Sequence, residues 1–324
     1  VDETIRRPHI DRWLKPLAIA AAIGMMITLL MGATVTNTGS GEGCGRSWPL
    51  CGGEFGSREM IIETSHRLVT GVEGFLVLFT GIGLWRTRGH RREARVLVAM
   101  MWISILVQSG MGAWAVKAPQ SSVVMALHFG FSMIAVTATA LTVEMLYRGR
   151  YFQSRTLNWT PPSLFRWGMW FSIIAMYGIA YLGAYVRHSD AVFACYEWPR
   201  CTTDALIPEL SGAAGINFAH RAAAVLGSFL VLGLYLWARR FKSERPDIEK
   251  VLKIALVTIL LQSLAGALVV ETTLSLVSTL LHALLMTVLF VALCIGCRMT
   301  LPMRSREATE PTSTHGAAIA PAGD

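Results

Sequence analysis

The chain has 324 residues, of which 53% are hydrophobic and 15% charged, and its mean hydropathy is +0.48. That apolar content exceeds what a water-soluble domain of this size needs for its core, and it excludes an ordinary soluble enzyme. A net charge of +8 raises the question of a nucleic-acid partner, but the basic residues gather at the ends of apolar segments, which excludes that reading as well.

In chain order, residues 1–16 carry Arg6, Arg7, Arg12 and Lys15 and read as a short segment ahead of the first apolar run, 17–36. That run is too long for a signal-peptide core and no A-x-A-like site follows it, so it is expected to remain as a helix. Next comes a loop in which Cys44 and Cys51 bracket Gly-Arg-Ser-Trp-Pro-Leu. The second run, 61–85, opens with Glu63 and the pair His66-Arg67 and continues through Glu73. Arg86, Arg88, Arg91, Arg92 and Arg95 lead into the third run, 94–116, and the fourth, 122–147, opens with His128. After Arg148, Arg150, Arg155 and Arg166 the fifth run, 165–186, ends at a second loop in which Cys195 and Cys201 bracket Tyr-Glu-Trp-Pro-Arg. His220-Arg221 opens the sixth run, 215–238. A basic stretch from Arg239 to Lys253 overlaps the start of the seventh, 250–271, and His282 opens the eighth, 276–298. Residues 301–324 are polar, rich in Pro, Thr and Ala and without apolar periodicity, as expected of a disordered cytoplasmic tail.

Each run is about the 20 residues that cross a ~30 Å hydrocarbon layer. With the N-terminus in the cytoplasm, most of the 29 basic residues fall inside. Only Arg46, Arg58, Lys117, Arg187 and Arg200 fall in outer loops, and Arg67 and Arg221 within spans. The positive-inside rule therefore predicts a multi-pass protein of the cell membrane with both termini cytoplasmic and both cysteine loops outside.

The sequence also repeats itself. His66 and His220 are 154 residues apart, as are His128 and His282, Arg67 and Arg221, Gln108 and Gln262, and Gly112 and Gly266. Cys44, Trp48, Pro49 and Cys51 recur as Cys195, Trp198, Pro199 and Cys201 at an offset of 150 or 151, one small indel away. A repeat of four spans, an even number, inserts twice in the same orientation. The expected fold is thus an all-α integral membrane protein of eight transmembrane helices, in two tandem four-helix bundles (17–150 and 151–300) related by a pseudo-two-fold axis along the membrane normal.

All four histidines lie five or six residues inside helices that run inward, roughly 7 to 9 Å below the outer boundary at 1.5 Å per residue. Ionisable residues within spans are costly and face the bundle interior or a cavity, which makes each a candidate functional group. A single such histidine is commonly an interhelical hydrogen-bonding residue. Two facing imidazoles at one depth, repeated, suit axial ligation of the iron of a flat heme between helices. Zinc would want further ligands, and only Glu63 lies at that depth, in one half alone. Thr70 and Gly74, Ser132 and Ala135, and Ala224 and Gly227 are small enough to admit a porphyrin edge, although small residues also serve helix packing. Arg67 and Arg221 are placed to pair with propionates or to snorkel toward headgroups.

An outer location is oxidising, so disulfides Cys44–Cys51 and Cys195–Cys201 are the simplest reading of the loops, as a lid, a staple, or a pair exchanging with a thiol partner. Cys294 and Cys297 are expected to stay reduced. The halves differ in their carboxylates: Asn217 replaces Glu63 and Gly227 replaces Glu73. This points to divided labour between two hemes. A desolvated carboxyl beside one of them could relay protons or stabilise a cationic intermediate. That role is assigned to Glu63, and an interhelical hydrogen bond to Glu73.

The run Cys-Gly-Arg-Ser-Trp-Pro-Leu-Cys at 44–51 and Glu-Thr-Ser-His-Arg at 63–67, with Ala-Leu-His-Phe-Gly around His128, Asn-Phe-Ala-His-Arg around His220 and Leu-Leu-His-Ala-Leu around His282, closely resemble the heme A synthase family over residues 17–298. Members of that family oxidise the C8 methyl group of heme O to a formyl group, giving heme A for terminal oxidases. The resemblance implies that His220 and His282 hold a heme b cofactor while His66 and His128 frame the heme O substrate. It also implies that Glu63 is the acid–base or cation-stabilising group, and that a heme O synthase and an electron donor are partners. The paired outer cysteines look like the bacterial form. No flavin or nicotinamide fingerprint occurs, so electrons are expected from a partner.

Two readings from other classes compete with this one. A diheme electron-transfer cytochrome b without substrate chemistry would need hemes near both faces, whereas all four histidines lie near one, and it leaves Glu63 unexplained. A transporter would show Gly/Pro-interrupted spans at the midplane, and none is found.

Overall fold

The computed structural model describes residues 7–52, 56–118, 121–151, 159–203 and 207–301. Within them lie eight long helices, α1 (Arg7–Asn37), α2 (Arg58–Arg88), α3 (Arg92–Lys117), α4 (Ser122–Tyr151), α5 (Ser163–His188), α6 (Gly212–Ala238), α7 (Pro246–Glu271) and α8 (Leu276–Met299). All eight are long and apolar enough to cross a membrane. Short 3-10 turns at Ser40–Glu42 and Ala191–Ala194 begin the two cysteine loops.

Local chemistry sets several of the ends. The Ser57 and Ser275 hydroxyls accept from the Met60 and Ser278 N–H groups at the starts of α2 and α8, and Pro246 occupies the first turn of α7, where its missing N–H costs nothing. One expectation shifts: α1 begins at Arg7, ten residues before its apolar run, and so takes in much of the segment 1–16. Backbone hydrogen bonding continues a helix past the hydrocarbon edge, where apolar content no longer marks it. The disordered tail expected over 301–324 lies, apart from Leu301, outside the described residues.

Helices α1 to α4 pack as a closed ring, each on the next and α4 back on α1, and α5 to α8 do the same. Between the rings α4 meets α8, α4 meets α5 and α8 meets α1. Exchanging α1–α4 for α5–α8 leaves this pattern of neighbours unchanged. Each ring has its own apolar core, one around Met25, Leu84 and Met101, the other around Phe165, Met169 and Leu252. Large apolar side chains such as Leu68, Phe75, Leu106, Phe171 and Leu226 point outward on every flank, which water would not tolerate over so wide a surface and lipid does.

Polar contacts fasten one ring to the other. At one end Arg298 of α8 pairs with Glu93 of α3 at 2.6 Å and with Glu144 of α4. At the other, Asn37 donates to the Leu274 carbonyl at 3.0 Å and Ser122 to the His188 carbonyl at 2.7 Å.

Candidate active site

A cavity of about 1200 Å³ opens between the rings on the side of the cysteine loops, and residues of both halves line it. It is larger than the roughly 300–1,000 Å³ that a single small ligand occupies. His66, His128, His220 and His282 all face it. His66 lies within electrostatic range of His128, as does His188 of α5, and His282 lies within range of His220. The Nδ1 atom of each of the four repeat-related histidines is buried without a hydrogen-bond partner among the described residues. Among the described residues no group of three or more His, Cys, Asp or Glu side chains is arranged to hold an ion. The donor set is therefore two imidazoles and two imidazoles, which suits a group that brings its own equatorial ligands.

Each imidazole is seated against a glycine of the preceding helix. A Cβ placed on Gly32 of α1 would lie 3.4 Å from Cε1 of His66, and one on Gly112 of α3 3.7 Å from that of His128. In the second ring the same construction puts Gly183 of α5 2.7 Å from Cε1 of His220 and Gly266 of α7 3.1 Å from that of His282. The four glycines let neighbouring backbones approach the rings and fix their direction. Sequence reading noted Gly112 and Gly266 only as repeat markers; Gly32 and Gly183, 151 residues apart, carried the same signal.

The histidine-flanking arginines bind the loops. Arg67 donates to the Ser47 carbonyl at 2.6 Å, more weakly to that of Pro49, and to Glu63 at 2.5 Å. Arg221 donates to the carbonyls of Cys195, Glu197 and Arg200 at 2.8 to 2.9 Å and to the Asn217 side chain at 2.9 Å. Each thus draws a loop, closed by Cys44–Cys51 or Cys195–Cys201 at bonding distance, over the cavity, which Trp48, Pro49, Trp198 and Pro199 line. Both Trp-Pro peptides are cis.

Glu63 is buried, faces the cavity and accepts hydrogen bonds on both oxygens, from Arg67 and from the Cys44 N–H at 2.8 Å. Asn217 does the equivalent structural work in the other half, donating to the Ala191 carbonyl at 3.0 Å. The carboxylate at 63 is thus a charged version of a loop anchor that the second half makes from a neutral amide. Sequence reading paired these positions but did not foresee Arg67 and Arg221 as their i,i+4 partners.

Of the small residues proposed to admit a porphyrin edge, Thr70, Ser132 and Ala224 line the cavity. Ala135 lies in the first core, Gly227 packs under Met176 and Ile179, and Gly74 has open space beside it. Glu73 is buried below the cavity with no partner on either oxygen, so the interhelical hydrogen bond expected of it is not formed. Cys294 and Cys297 are free thiols. Residues that sequence reading missed include Gln262, whose Nε2 is 3.2 Å from Nε2 of His282, its repeat mate Gln108, and Arg187 and His188 at the end of α5, all lining the cavity.

Residues 54–294 match the family described as cytochrome oxidase assembly protein. A protein of Geobacillus kaustophilus named Heme A synthase is 37% identical over 95% of this chain and 97% of its own length. One of the same name from Symbiobacterium thermophilum is 38% identical over 90% and 96%, and one from Shouchella clausii 36% identical over 87% and 95%. With the family matched across both rings, and relatives this similar along nearly their whole length, the chain belongs to the cytochrome oxidase assembly family that includes the heme A synthases.

Proposed function

We infer that the protein is a heme A synthase, a membrane oxidoreductase that converts the C8 methyl group of heme O to a formyl group for use in terminal oxidases. The observation that carries this reading is a cavity lined by all four repeat-related histidines, two from each ring, in a chain with heme A synthase relatives along most of its length. The glycine seats and the absence of a third protein ligand among the described residues fit heme.

In this reading His220 and His282 of the second ring hold the heme b cofactor, and His66 and His128 of the first frame the substrate heme O. Heme b, when bound, supplies a reversible one-electron centre. The Trp-Pro lids limit water at the substrate edge. Glu63, at the junction of cavity and loop, is the acid–base or cation-stabilising group, and Arg67 orients it and balances its charge. A guanidinium has five N–H donors. Arg67 gives two bonds to its loop and one to Glu63, Arg221 three to its loop and one to Asn217, and both would present the remainder, with Arg187, to the heme propionates. The cysteine loops lie outside the cell membrane and both termini inside. An electron donor and a heme O synthase complete the reaction sequence, and a thiol–disulfide partner for the loops is compatible with their position.

The test is porphyrin extraction and mass analysis of cells that make heme O, with and without this protein. Heme A is expected only in its presence. Purified protein carrying two hemes b and no modified porphyrin would instead make it an electron-transfer cytochrome.

A further inference from the structure

Glu73 takes no part in the site described above, yet it stands at the midpoint of α2, fifteen residues from either end. It is only 2% exposed, and neither carboxyl oxygen has a partner among the described residues. A carboxyl in the centre of a membrane span is costly, and unpaired it is carried far more cheaply as the neutral acid than as the anion. The fold makes room for it. Gly24 of α1 lies directly opposite, where any Cβ would overlap the Glu73 carboxyl.

Other polar groups without partners continue the line. One turn above Gly24 on α1 is Thr28, buried, its hydroxyl without a partner, and it lines the cavity. Two turns below Glu73 on α2 is Thr80, fully buried and also without a partner, and beside it the unpartnered Trp102 indole N–H lies against Gly81. Native proteins leave few buried polar atoms unsatisfied, so a row of them in one bundle calls for an explanation.

The second ring lacks the row altogether. By the offsets that relate Gly32 to Gly183 and His66 to His220, the counterparts of Thr28, Glu73, Thr80 and Trp102 are Ile179, Gly227, Leu234 and Leu256. There Met176 and Ile179 fill the space over Gly227. The polar row therefore belongs to the ring of His66 and His128, and simple helix packing, which the second ring achieves with apolar groups, does not require it.

We propose that Thr80, Glu73 and Thr28 form a proton relay within the first bundle that leads up to the cavity. The proposal rests on the reading above, since oxidising a methyl group to a formyl group moves protons at the substrate edge. In each step the Glu73 acid gives its proton toward Thr28. The Thr28 hydroxyl accepts it and passes its own proton to a water molecule in the cavity. The carboxylate left behind regains a proton from the Thr80 side, with water bridging the one- to two-turn gaps. No electron moves in the relay, and the carboxyl ends each cycle as it began.

The test uses the full-length protein produced in cells that make heme O. Glu73→Gln should lower the rate of heme A formation at least tenfold while bound heme b stays at the wild-type level. It should also remove an infrared carbonyl band of a protonated carboxyl that shifts in deuterated water in the wild type. Glu73→Asp should recover part of the rate. A wild-type rate in Glu73→Gln overturns the relay alone, whereas a wild-type protein that makes no heme A overturns the proposed function and the relay with it. Should Glu73→Gln lose heme b as well, Thr28→Val decides: a reduced rate with full heme b supports the relay, and an unchanged rate overturns it.

Discussion

Adding one methyl group at each of the four glycine seats should produce a graded loss of heme. The structure sets the order. The new Cβ would stand 2.7 Å from Cε1 of His220 in Gly183→Ala, 3.1 Å from that of His282 in Gly266→Ala, 3.4 Å from that of His66 in Gly32→Ala and 3.7 Å from that of His128 in Gly112→Ala. Carbon atoms pack comfortably at about 3.5–4.0 Å, so Gly112→Ala needs no adjustment, while Gly183→Ala forces ring and helix apart by roughly 1 Å. Overpacking of this kind costs roughly 1–3 kcal/mol. At about 1.4 kcal/mol per factor of ten, heme held by His220 should weaken by between about 5-fold and 100-fold. Heme per polypeptide, read from the reduced absorbance spectrum after identical purification, measures this. If Gly112→Ala lost as much heme as Gly183→Ala, or Gly183→Ala kept its full complement, the seats would not be what orients the imidazoles.

Glu63→Ala should abolish heme A formation while heme b remains bound, and heme A still formed at the wild-type rate would refute the role given to Glu63. His220→Ala or His282→Ala should deplete heme b, and an unchanged spectrum would count against the ligand assignment. Arg221→Lys replaces a fork of four hydrogen bonds with a single ammonium. Faster hydrogen exchange and proteolysis of residues 195–201 is expected, with the disulfide intact. Arg298→Ala removes the guanidinium that pairs with both Glu93 of α3 and Glu144 of α4 and should cost roughly 0.5–3 kcal/mol. It would be read as a lower melting temperature with no change in heme ligands, and an unshifted melting point would show that the clamp between the rings is not under load.

The eight spans, their count and their order were legible because membrane insertion is decided locally. Each run must supply its own apolar surface and satisfy its own backbone, so hydropathy alone marks it. The repeat and the four histidines were legible for a related reason: a duplicated bundle keeps costly intramembrane groups at fixed spacing, and position along a helix gives depth directly. The start of α1 at Arg7 was not legible, since a helix outside the hydrocarbon needs no apolar run.

What only the tertiary structure decided concerns contacts between elements far apart in the chain. That the four histidines of both rings line one cavity depends on how α1, α4, α5 and α8 meet. That Arg67 and Arg221 hold the lids, with Glu63 and Asn217 as their anchors, depends on where the loops fold back. Gly24, Gly32 and Gly183 look like any small residue in a span until the side chain opposite each is known. The isolation of Glu73 could not be read at all, because a missing hydrogen bond is a property of everything around a residue, and a one-dimensional pattern records only the residue itself.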